Sequence, residues 1–238
     1  MKKSEKIIAI IPARGGSKRL KNKNIMPLLG KPMIQYTIQS ALESGVFDEV
    51  LVSTDCQEIA RVSRECGATV PFLRDPRLAD DHTPVSLATF HALGQMENYT
   101  GNRYGVVVQL MANCPCRTAE DIKRAYKQFR DSRKNFQISF FPFGWMNPWW
   151  AMRLKAGNKP SPLFPKAYKK RSQDLEKLYC PTGALWIARS AALKREKSFY
   201  GKGYSVYVMD WRHAVDIDDE DDFHMAQIIL SQTQSGQV

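Results

Sequence analysis

A buried strand that runs directly into a basic, glycine-containing loop constrains this chain more than any other feature. Residues 7–11 are five consecutive apolar residues, a pattern typical of a short strand buried on both faces. Pro12 cannot donate a ladder hydrogen bond, so the strand should end there. Gly15 and Gly16 permit backbone angles closed to other residues, and their N–H groups could converge on one anion. A phosphate site is therefore the favoured interpretation, with four surrounding cations: Arg14, Lys18, Lys21 and Lys23.

This loop does not match the two familiar phosphate-binding motifs. A Walker loop needs a second glycine before its lysine, and Gly15-Gly16 has none. Ser17 and Arg19 break the dinucleotide-binding fingerprint. The loop is then either a phosphate site of another kind or a solvated basic surface, and the strand before it favours the phosphate site.

Strand-like and helix-like segments alternate along the chain at the spacing of βαβ units. The predicted strands are 7–11, 49–53, 68–72, 104–110, 137–141, 183–188 and 204–209, and the predicted helices are 32–43, 57–65, 87–96, 118–130 and 214–230. The pattern predicts an α/β fold with three layers, in which helices cover both faces of a mostly parallel, doubly wound sheet. Ligands of such sheets bind beyond the carboxyl ends of the strands, where the glycine loop and Asp55 both fall.

The composition indicates a basic protein with acidic ligands. The formal net charge is +11 at pH 7, which suits nucleotide phosphates, a sugar carboxylate or nucleic acid. No zinc-finger spacing, long basic helix or aromatic RNA-binding signature is present, so we do not expect a nucleic-acid partner. The five cysteines show no disulfide or zinc pattern, and no apolar run approaches the roughly 20 residues of a membrane span. We therefore expect a cytoplasmic protein without a membrane partner.

Residues 142–178 interrupt the α/β pattern. Three tryptophans cluster with prolines there, and a lysine-rich stretch of little apolar periodicity follows. We predict a nucleotidyltransferase-type core over residues 1–141 and 179–238 and an insertion over residues 142–178. From composition alone the insertion is either a mobile basic flap or a dimerisation arm, because aromatic residues and arginine are enriched at interface cores.

An acidic run, residues 216–222, is the second strong signal. The dipole of a following helix would offset part of its self-repulsion and explains the later residues of the run. Asp216 and Asp218 differ, because the buried Ile217 between them would send both carboxylates to one side of an extended backbone. Two hard oxygen ligands suit Mg²⁺, which shares its coordination with waters and phosphates. We predict that these two aspartates hold Mg²⁺.

Together these segments resemble the acylneuraminate cytidylyltransferases, which make CMP-activated sialic acids and related nine-carbon sugar acids. The resemblance lies in Ile11-Pro12-Ala13-Arg14-Gly15-Gly16-Ser17-Lys18, in Lys23-Asn24-Ile25 and in Asp216-Ile217-Asp218. It implies a nucleotide-diphospho-sugar transferase-like fold, a Mg²⁺ cofactor and a role in cell-surface polysaccharide biosynthesis. It also favours the dimerisation arm, which in the family pairs two subunits and brings cations to the neighbouring site.

The resemblance also implies roles for individual residues. Arg14, Lys18 and Lys23 would be catalytic, because they neutralise the triphosphate and the departing pyrophosphate. Arg74 begins a segment that looks like the family's cytosine-reading loop, although surface ion pairing is an equal alternative for Arg74 and Asp81. The implied nucleotide-binding residues are Ala13, Arg14, Gly15, Gly16, Ser17, Lys18, Lys23, Asn24, Arg74 and Asp81.

The loop over residues 110–117 departs from the family's pattern. Sialate-activating relatives often have Leu-Gln-Pro-Thr-Ser-Pro-Leu-Arg here, whereas this chain has Met111 and Asn113 and keeps Pro115 and Arg117. A methionine in place of the glutamine favours a sugar with an apolar deoxy carbon, of the legionaminate or pseudaminate type, over N-acetylneuraminate. The predicted substrate-binding residues are Met111, Asn113, Arg117 and Tyr179, with Lys166 and Arg171 of the partner subunit at the sugar carboxylate.

The sequence therefore predicts transfer of CMP from CTP to the anomeric hydroxyl of a sugar acid, with release of pyrophosphate, by a homodimer. Another sugar nucleotidyltransferase of this fold, such as an octulosonate-activating enzyme, is the nearest alternative. A glycosyltransferase would normally show Asp-x-Asp after a central strand, and none follows residues 106–110. A basic nucleic-acid-binding protein would explain the charge but not Asp216 and Asp218.

Overall fold

The central sheet of the protein positions every predicted site segment. A computed structural model describes residues 5–234. The strands in this range are β1 (Ile7–Pro12), β2 (Pro27–Leu28), β3 (Lys31–Pro32), β4 (Glu49–Ser53), β5 (Val106–Gln109), β6 (Phe136–Pro142), β7 (Met152–Lys155), β8 (Lys159–Pro162), β9 (Tyr179–Arg189) and β10 (Ser205–Val208). Six of them form the central sheet in the order β10-β6-β9-β5-β1-β4. Only β9 runs antiparallel to its neighbours within this sheet, so the predicted mostly parallel sheet is confirmed.

Helices cover both faces of this sheet. They are α1 (Met33–Glu43), α2 (Gln57–Glu65), α3 (Val85–Thr100), α4 (Ala119–Ser132), α5 (Pro165–Tyr168), α6 (Ser190–Glu196) and α7 (Glu220–Gln234). Strand β1 shows why three layers form, because its alternate side chains enter different cores. Ile7 and Ile11 pack in the core with α1, α2 and α4, whereas Ile8 and Ile10 pack with α3 and α6. The doubly wound α/β arrangement is thus confirmed.

The carboxyl ends of the parallel strands lie at one edge of the sheet. The glycine loop follows β1 there, Thr54 and Asp55 follow β4, and residues 110–117 follow β5. Because β9 is antiparallel, it begins at this same edge, where Tyr179 pairs with Pro142 at the end of β6. The fold therefore brings segments that are distant in sequence to one edge.

Two predicted elements differ in the structure, and a helix after β9, helix α6, was not predicted. Residues 68–72 do not form a strand and contribute a single parallel bridge between Thr69 and Leu51, since Pro71 has no N–H to extend the ladder. Helix α7 begins at Glu220 rather than at Ala214, because residues 215–219 run without helix and place Ile217 in a third core with helix residue Ala226.

The insertion lies between the end of β6 and the start of β9. Its strands β7 and β8 pair only with each other, as a hairpin separate from the central sheet. Several large apolar side chains in this region are exposed: Trp145, Met146, Trp150, Leu154, Leu163, Phe164 and Tyr168. Among the helices formed by residues 5–234, none is both long and apolar enough to cross a membrane.

Candidate active site

The glycine loop is fastened to the end of β4. The N–H of Gly15 donates to Asp55 Oδ1 at 2.9 Å, so this donor already has a carboxylate partner. A Cβ on Gly15 would lie 2.9 Å from the Cβ of Cys56, which is closer than side chains pack. Neither Gly15 nor Gly16 has a positive φ, so the prediction of unusual backbone angles was wrong. Glycine at position 15 is needed because the loop approaches Cys56 closely there, whereas Gly16 faces open space.

The side chains of this loop line a cleft of about 450 Å³. Cations from the loop and carboxylates from two other segments meet in it: Arg14, Lys18, Arg19, Lys23, Asp81 and Asp218. Ser17 and Asn24 also line the cleft, and Asn24 donates to the backbone oxygen of Arg14 at 3.0 Å, which braces the loop. The predicted loop cations therefore converge on one space, apart from Lys21, which does not line it.

The four cations of the cleft form two pairs, and each pair contacts one carboxylate. Arg14 Nη1 lies 2.8 Å from Asp81 Oδ1, and Lys18 contacts the other oxygen of Asp81. At the far end of the cleft, Lys23 Nζ lies 2.9 Å from Asp218 Oδ1.

The second pair links the two strongest sequence signals. Arg19 Nη2 lies 2.8 Å from Asp218 Oδ2, and Lys23 also donates to the backbone oxygen of Ile217 at 2.6 Å. Arg19 belongs to the same basic run but is not among the predicted site residues. The glycine loop and the acidic run thus form one continuous site.

Asn113 fixes the acidic run from the β5 side. Its side-chain amide donates to Asp216 Oδ1 and, at 3.1 Å, to the backbone oxygen of Ile217. The N–H of Ile217 returns a hydrogen bond of 2.9 Å to the backbone oxygen of Asn113. Asn113 is therefore a brace for the acidic run, which is a more specific role than the predicted substrate contact.

The two aspartates have different electrostatic environments. Desolvation of the carboxylate by the surrounding protein, and then the charge of Asp218, raise the pKa of Asp216 to about 6, although the residue is partly exposed. Burial also acts to raise the pKa of Asp218, but its hydrogen bond to Lys23 and the charges of Lys23 and Arg19 outweigh this, and its pKa is lowered. The charged form of Asp216 is therefore disfavoured in the structure, and an added cation would stabilise it.

A second cleft, of about 520 Å³, borders Asp216. Its walls are largely aromatic and thioether side chains: Phe141, Phe143, Trp145, Met146, Trp211 and Met225. The few polar groups among its lining include Thr182, Asp216 and Asp222. The tryptophan cluster of the insertion is visible in the sequence. Its contact with Trp211 and Met225, from near the end of the chain, is not, because it depends on the tertiary fold.

Met111 lies between the two clefts. It lines the first cleft, and Gly183, which lines the second, packs directly against it. A Cβ on Gly183 would lie 2.9 Å from Met111 Cγ and 3.5 Å from Asp216 Oδ2. Glycine at position 183 therefore allows Met111 and Asp216 to approach each other.

Several predicted site residues lie elsewhere. Arg117 is 2% exposed and donates to the backbone oxygen of Ala184 at 2.5 Å, and burial lowers its pKa to about 10. This placement contradicts a direct substrate contact and makes Arg117 a buried brace of the 110–117 loop. Lys166, Arg171 and Tyr179 are exposed and line neither cleft of their own chain, and Arg171 pairs with Asp174 at 2.8 Å.

Arg74 is also buried. Its guanidinium donates to Ser53 Oγ at 3.1 Å and to the backbone oxygen of Ser53, and burial lowers its pKa to about 10. The alternative in which Arg74 forms an ion pair at the surface is therefore wrong. The side chain ties the start of the 74–84 loop to the end of β4, which holds the predicted base-reading loop beside the glycine loop.

Comparison with known proteins shows which family the chain belongs to. The family model described as cytidylyltransferase matches residues 8–201. The pseudaminic acid cytidylyltransferase of Campylobacter jejuni strain 81-176 is 37% identical over 224 residues, covering 94% of this chain and 96% of that protein. The N-acylneuraminate cytidylyltransferase of Escherichia coli O18:K1:H7 is 33% identical over 244 residues, covering 98% of this chain and 54% of that protein.

A solved structure shows the same fold. The CMP:2-keto-3-deoxy-manno-octonic acid synthetase in complex with CTP superimposes with a TM-score of 0.72 and 16% identity, covering 96% of this chain and 99% of that one. The family match, the identity to curated relatives and the site geometry lead to one conclusion. The chain belongs to the acylneuraminate cytidylyltransferase family.

Proposed function

We propose that this protein transfers CMP from CTP to the anomeric hydroxyl of a nonulosonic, sialic-acid-like sugar acid and releases pyrophosphate. One observation carries the proposal: the contact between Lys23 and Asp218 puts the polyphosphate cations and one of the two metal-type carboxylates in one cleft. Family membership supports the choice of CTP. The use of CTP in turn favours the cytoplasm as the compartment.

The first cleft is the proposed site for the triphosphate. Arg14, Lys18 and Lys23 would neutralise the phosphates and then the departing pyrophosphate. Ser17 and Asn24 line the same space, and Ala13, Gly15 and Gly16 shape its backbone. Arg74 would hold the base-reading loop in place rather than contact the cytosine itself, because its guanidinium donates to Ser53.

Asp216 and Asp218 are the proposed Mg²⁺ ligands. Within residues 5–234 no three His, Cys, Asp or Glu side chains form a metal-holding group, which argues against a site made wholly of protein ligands. Mg²⁺ instead uses one or two carboxylates together with waters and substrate phosphates, and a bound cation would stabilise the charged form of Asp216, which burial disfavours. When bound, Mg²⁺ supplies charge compensation at the reacting phosphate.

The chemistry is an exchange of bonds at the α-phosphorus of CTP. The anomeric oxygen forms a bond to that phosphorus, the bond to the β-phosphate oxygen breaks, and the hydroxyl proton leaves to a base. The loop cations stabilise the charge of the leaving pyrophosphate, and the cleft walls align the two substrates. No protein nucleophile is required, since the sugar supplies the attacking oxygen.

The second cleft is the proposed site for the sugar acid. It borders Asp216, so a sugar held there would meet the triphosphate at the divide between the clefts. Its apolar walls and the neighbouring Met111 favour a sugar with an additional apolar deoxy carbon, of the legionaminate or pseudaminate type, over N-acetylneuraminate. The identity to a pseudaminic acid cytidylyltransferase is consistent with this choice.

The insertion over residues 142–178 is proposed to be a dimerisation arm. Its exposed side chains include Trp145, Leu154 and Phe164, and clustered apolar surface of this kind is typical of protein–protein interfaces. In a homodimer, Lys166 and Arg171 of the partner subunit would bind the sugar carboxylate. Analytical ultracentrifugation tests this: replacing the exposed Leu154 by glutamate should convert dimers to monomers, and a monomeric wild type would refute the arm.

A pyrophosphate-release assay tests the function. The wild-type protein with Mg²⁺ should release pyrophosphate from CTP, but not from UTP, when a nonulosonic acid is present. Pseudaminate, legionaminate, N-acetylneuraminate and an octulosonate should be compared by kcat/KM. Turnover with the octulosonate alone would transfer the proposal to the neighbouring sugar class, and no turnover with any of them would refute it.

A further inference from the structure

Asp81 lies against the cations that are proposed to bind the triphosphate. Its two carboxylate oxygens contact Arg14 at 2.8 Å and Lys18, and Arg14 also donates to the backbone oxygen of Asp80 at 2.9 Å. Arg14, Lys18 and Asp81 all line the first cleft. A carboxylate between an arginine and a lysine occupies the position that a phosphate oxygen would take.

Within residues 5–234, no other carboxylate lies within 4 Å of Arg14 or Lys18. The two contacts favour the charged form of Asp81, since the hydrogen bonds from Lys18 and then Arg14 lower its pKa. The side chains of Arg14 and Asp81 are each 35% exposed, and that of Lys18 is 79% exposed. Such pairs are weak enough to exchange with a multiply charged anion.

The two ends of the cleft differ in one respect. At Asp218, the proposed metal would arrive with the nucleotide and provide the carboxylate with a new partner. At Asp81, no cation arrives, so a polyphosphate and Asp81 compete directly for Arg14 and Lys18. A carboxylate in this position weakens anion binding, which is unexpected in a site that must bind a triphosphate.

We propose that Asp81 is an internal counter-ion that competes with the polyphosphate for Arg14 and Lys18, and that it thereby lowers pyrophosphate affinity and favours product release. The inference rests on the proposed function, because it takes the ligand of these cations to be a polyphosphate. It assigns Asp81 a role opposite to the predicted one, since its side chain opposes nucleotide binding rather than contributing to it.

Isothermal titration with inorganic pyrophosphate tests this inference. Asp81→Asn and Asp81→Ser should both bind pyrophosphate about three- to tenfold more tightly than the wild type, because two exposed cations lose their partner. The gain should shrink at high ionic strength, since exposed charges are screened. Asp131→Asn is the matched control: it removes one exposed carboxylate from the end of α4 and should leave the affinity unchanged.

The outcomes separate this inference from the proposed function. Tighter pyrophosphate binding by both Asp81 variants, with stronger product inhibition during turnover, supports it. Equal or weaker binding by both variants, with an unchanged melting temperature, overturns it even if the wild type turns over CTP. Tighter binding together with no turnover on any sugar acid would leave the counter-ion role standing and refute the proposed reaction.

Discussion

Lys23 and Asp218 form an ion pair of 2.9 Å although 195 positions separate them in the chain. Lys23 is only 15% exposed, whereas Asp218 keeps 44% of its side chain accessible to the cleft. The pair closes the glycine loop against the acidic run, and Arg19 contacts the second oxygen of a carboxylate that is still partly accessible. An ion pair in this position fixes the lysine for an incoming phosphate and keeps the carboxylate available to a cation.

Replacing Lys23 by methionine should strongly reduce turnover. The charge of Lys23 acts where negative charge develops on the leaving pyrophosphate, so kcat/KM should fall about 10²- to 10³-fold. Lys127→Met, on the exposed face of α4, is the control for loss of one positive charge. Equal activities of the two variants in the pyrophosphate-release assay would exclude a catalytic role for Lys23.

Replacing Asp218 by asparagine should change the metal requirement. The amide keeps the shape and loses the charge, so the Mg²⁺ concentration for half-maximal activity should rise at least about tenfold. CTP affinity measured without metal should rise or stay constant, because Lys23 and Arg19 lose a competing carboxylate. An unchanged Mg²⁺ dependence would show that Asp218 is not a metal ligand.

Replacing Met111 by glutamine should alter sugar preference. A hydrogen-bonding amide at the divide between the clefts should raise the kcat/KM ratio of N-acetylneuraminate over a deoxy sugar acid about tenfold. The KM for CTP should stay within about twofold. Met111→Leu, which keeps the site apolar, should leave the ratio near that of the wild type, and a similar shift in both variants would mean that only the shape of the side chain matters.

The parts of the site that could be predicted from sequence are those set by neighbours in the chain. Four isoleucines before a glycine loop predict a buried strand and an anion-binding turn, and the alternation Asp216-Ile217-Asp218 predicts which side chain is buried. Gly15 was selected for its backbone freedom, but the structure requires it for contact with Cys56. That contact joins the loop after β1 to the residues after β4, and no pattern of neighbouring residues in the sequence predicts it.

The remaining features depend on packing between distant segments. Arg117 carries a charge that predicts an exposed ligand contact, yet it is buried against Ala184 of β9. The second cleft combines Trp145 of the insertion with Trp211 and Met225, which a sequence reading places in unrelated elements. Tertiary contacts of this kind decide whether a charged or aromatic residue serves the core or the site.

The His213–Asp121 pair should make stability depend on pH. His213 Nδ1 lies 2.9 Å from Asp121 Oδ2, and the contact with this carboxylate raises the pKa of His213 in the folded state. A raised pKa stabilises the fold below the unfolded value of about 6.5, and the contribution is lost as pH rises through the folded value.

Urea unfolding at pH 6 and pH 8.5 measures this contribution. His213→Gln should be about 0.5–1 kcal/mol less stable than the wild type at pH 6, a value reduced because the imidazole is 32% exposed. The difference should be smaller at pH 8.5. A difference that does not change with pH would mean that the neutral imidazole contributes all of the stabilisation.

Gly183 should act as a positioning residue through Met111. In Gly183→Ala the new Cβ would lie 2.9 Å from Met111 Cγ, so Met111 must move, and Asp216 at 3.5 Å is the next group affected. We expect kcat/KM for the sugar acid to fall about tenfold while CTP affinity changes less than about twofold.

The double variant Gly183→Ala/Met111→Ala removes the clashing Cγ and should recover part of the sugar-acid activity relative to Gly183→Ala alone. Additive losses in the double variant would instead indicate that the two residues act independently, since contacting residues with a shared effect give non-additive changes.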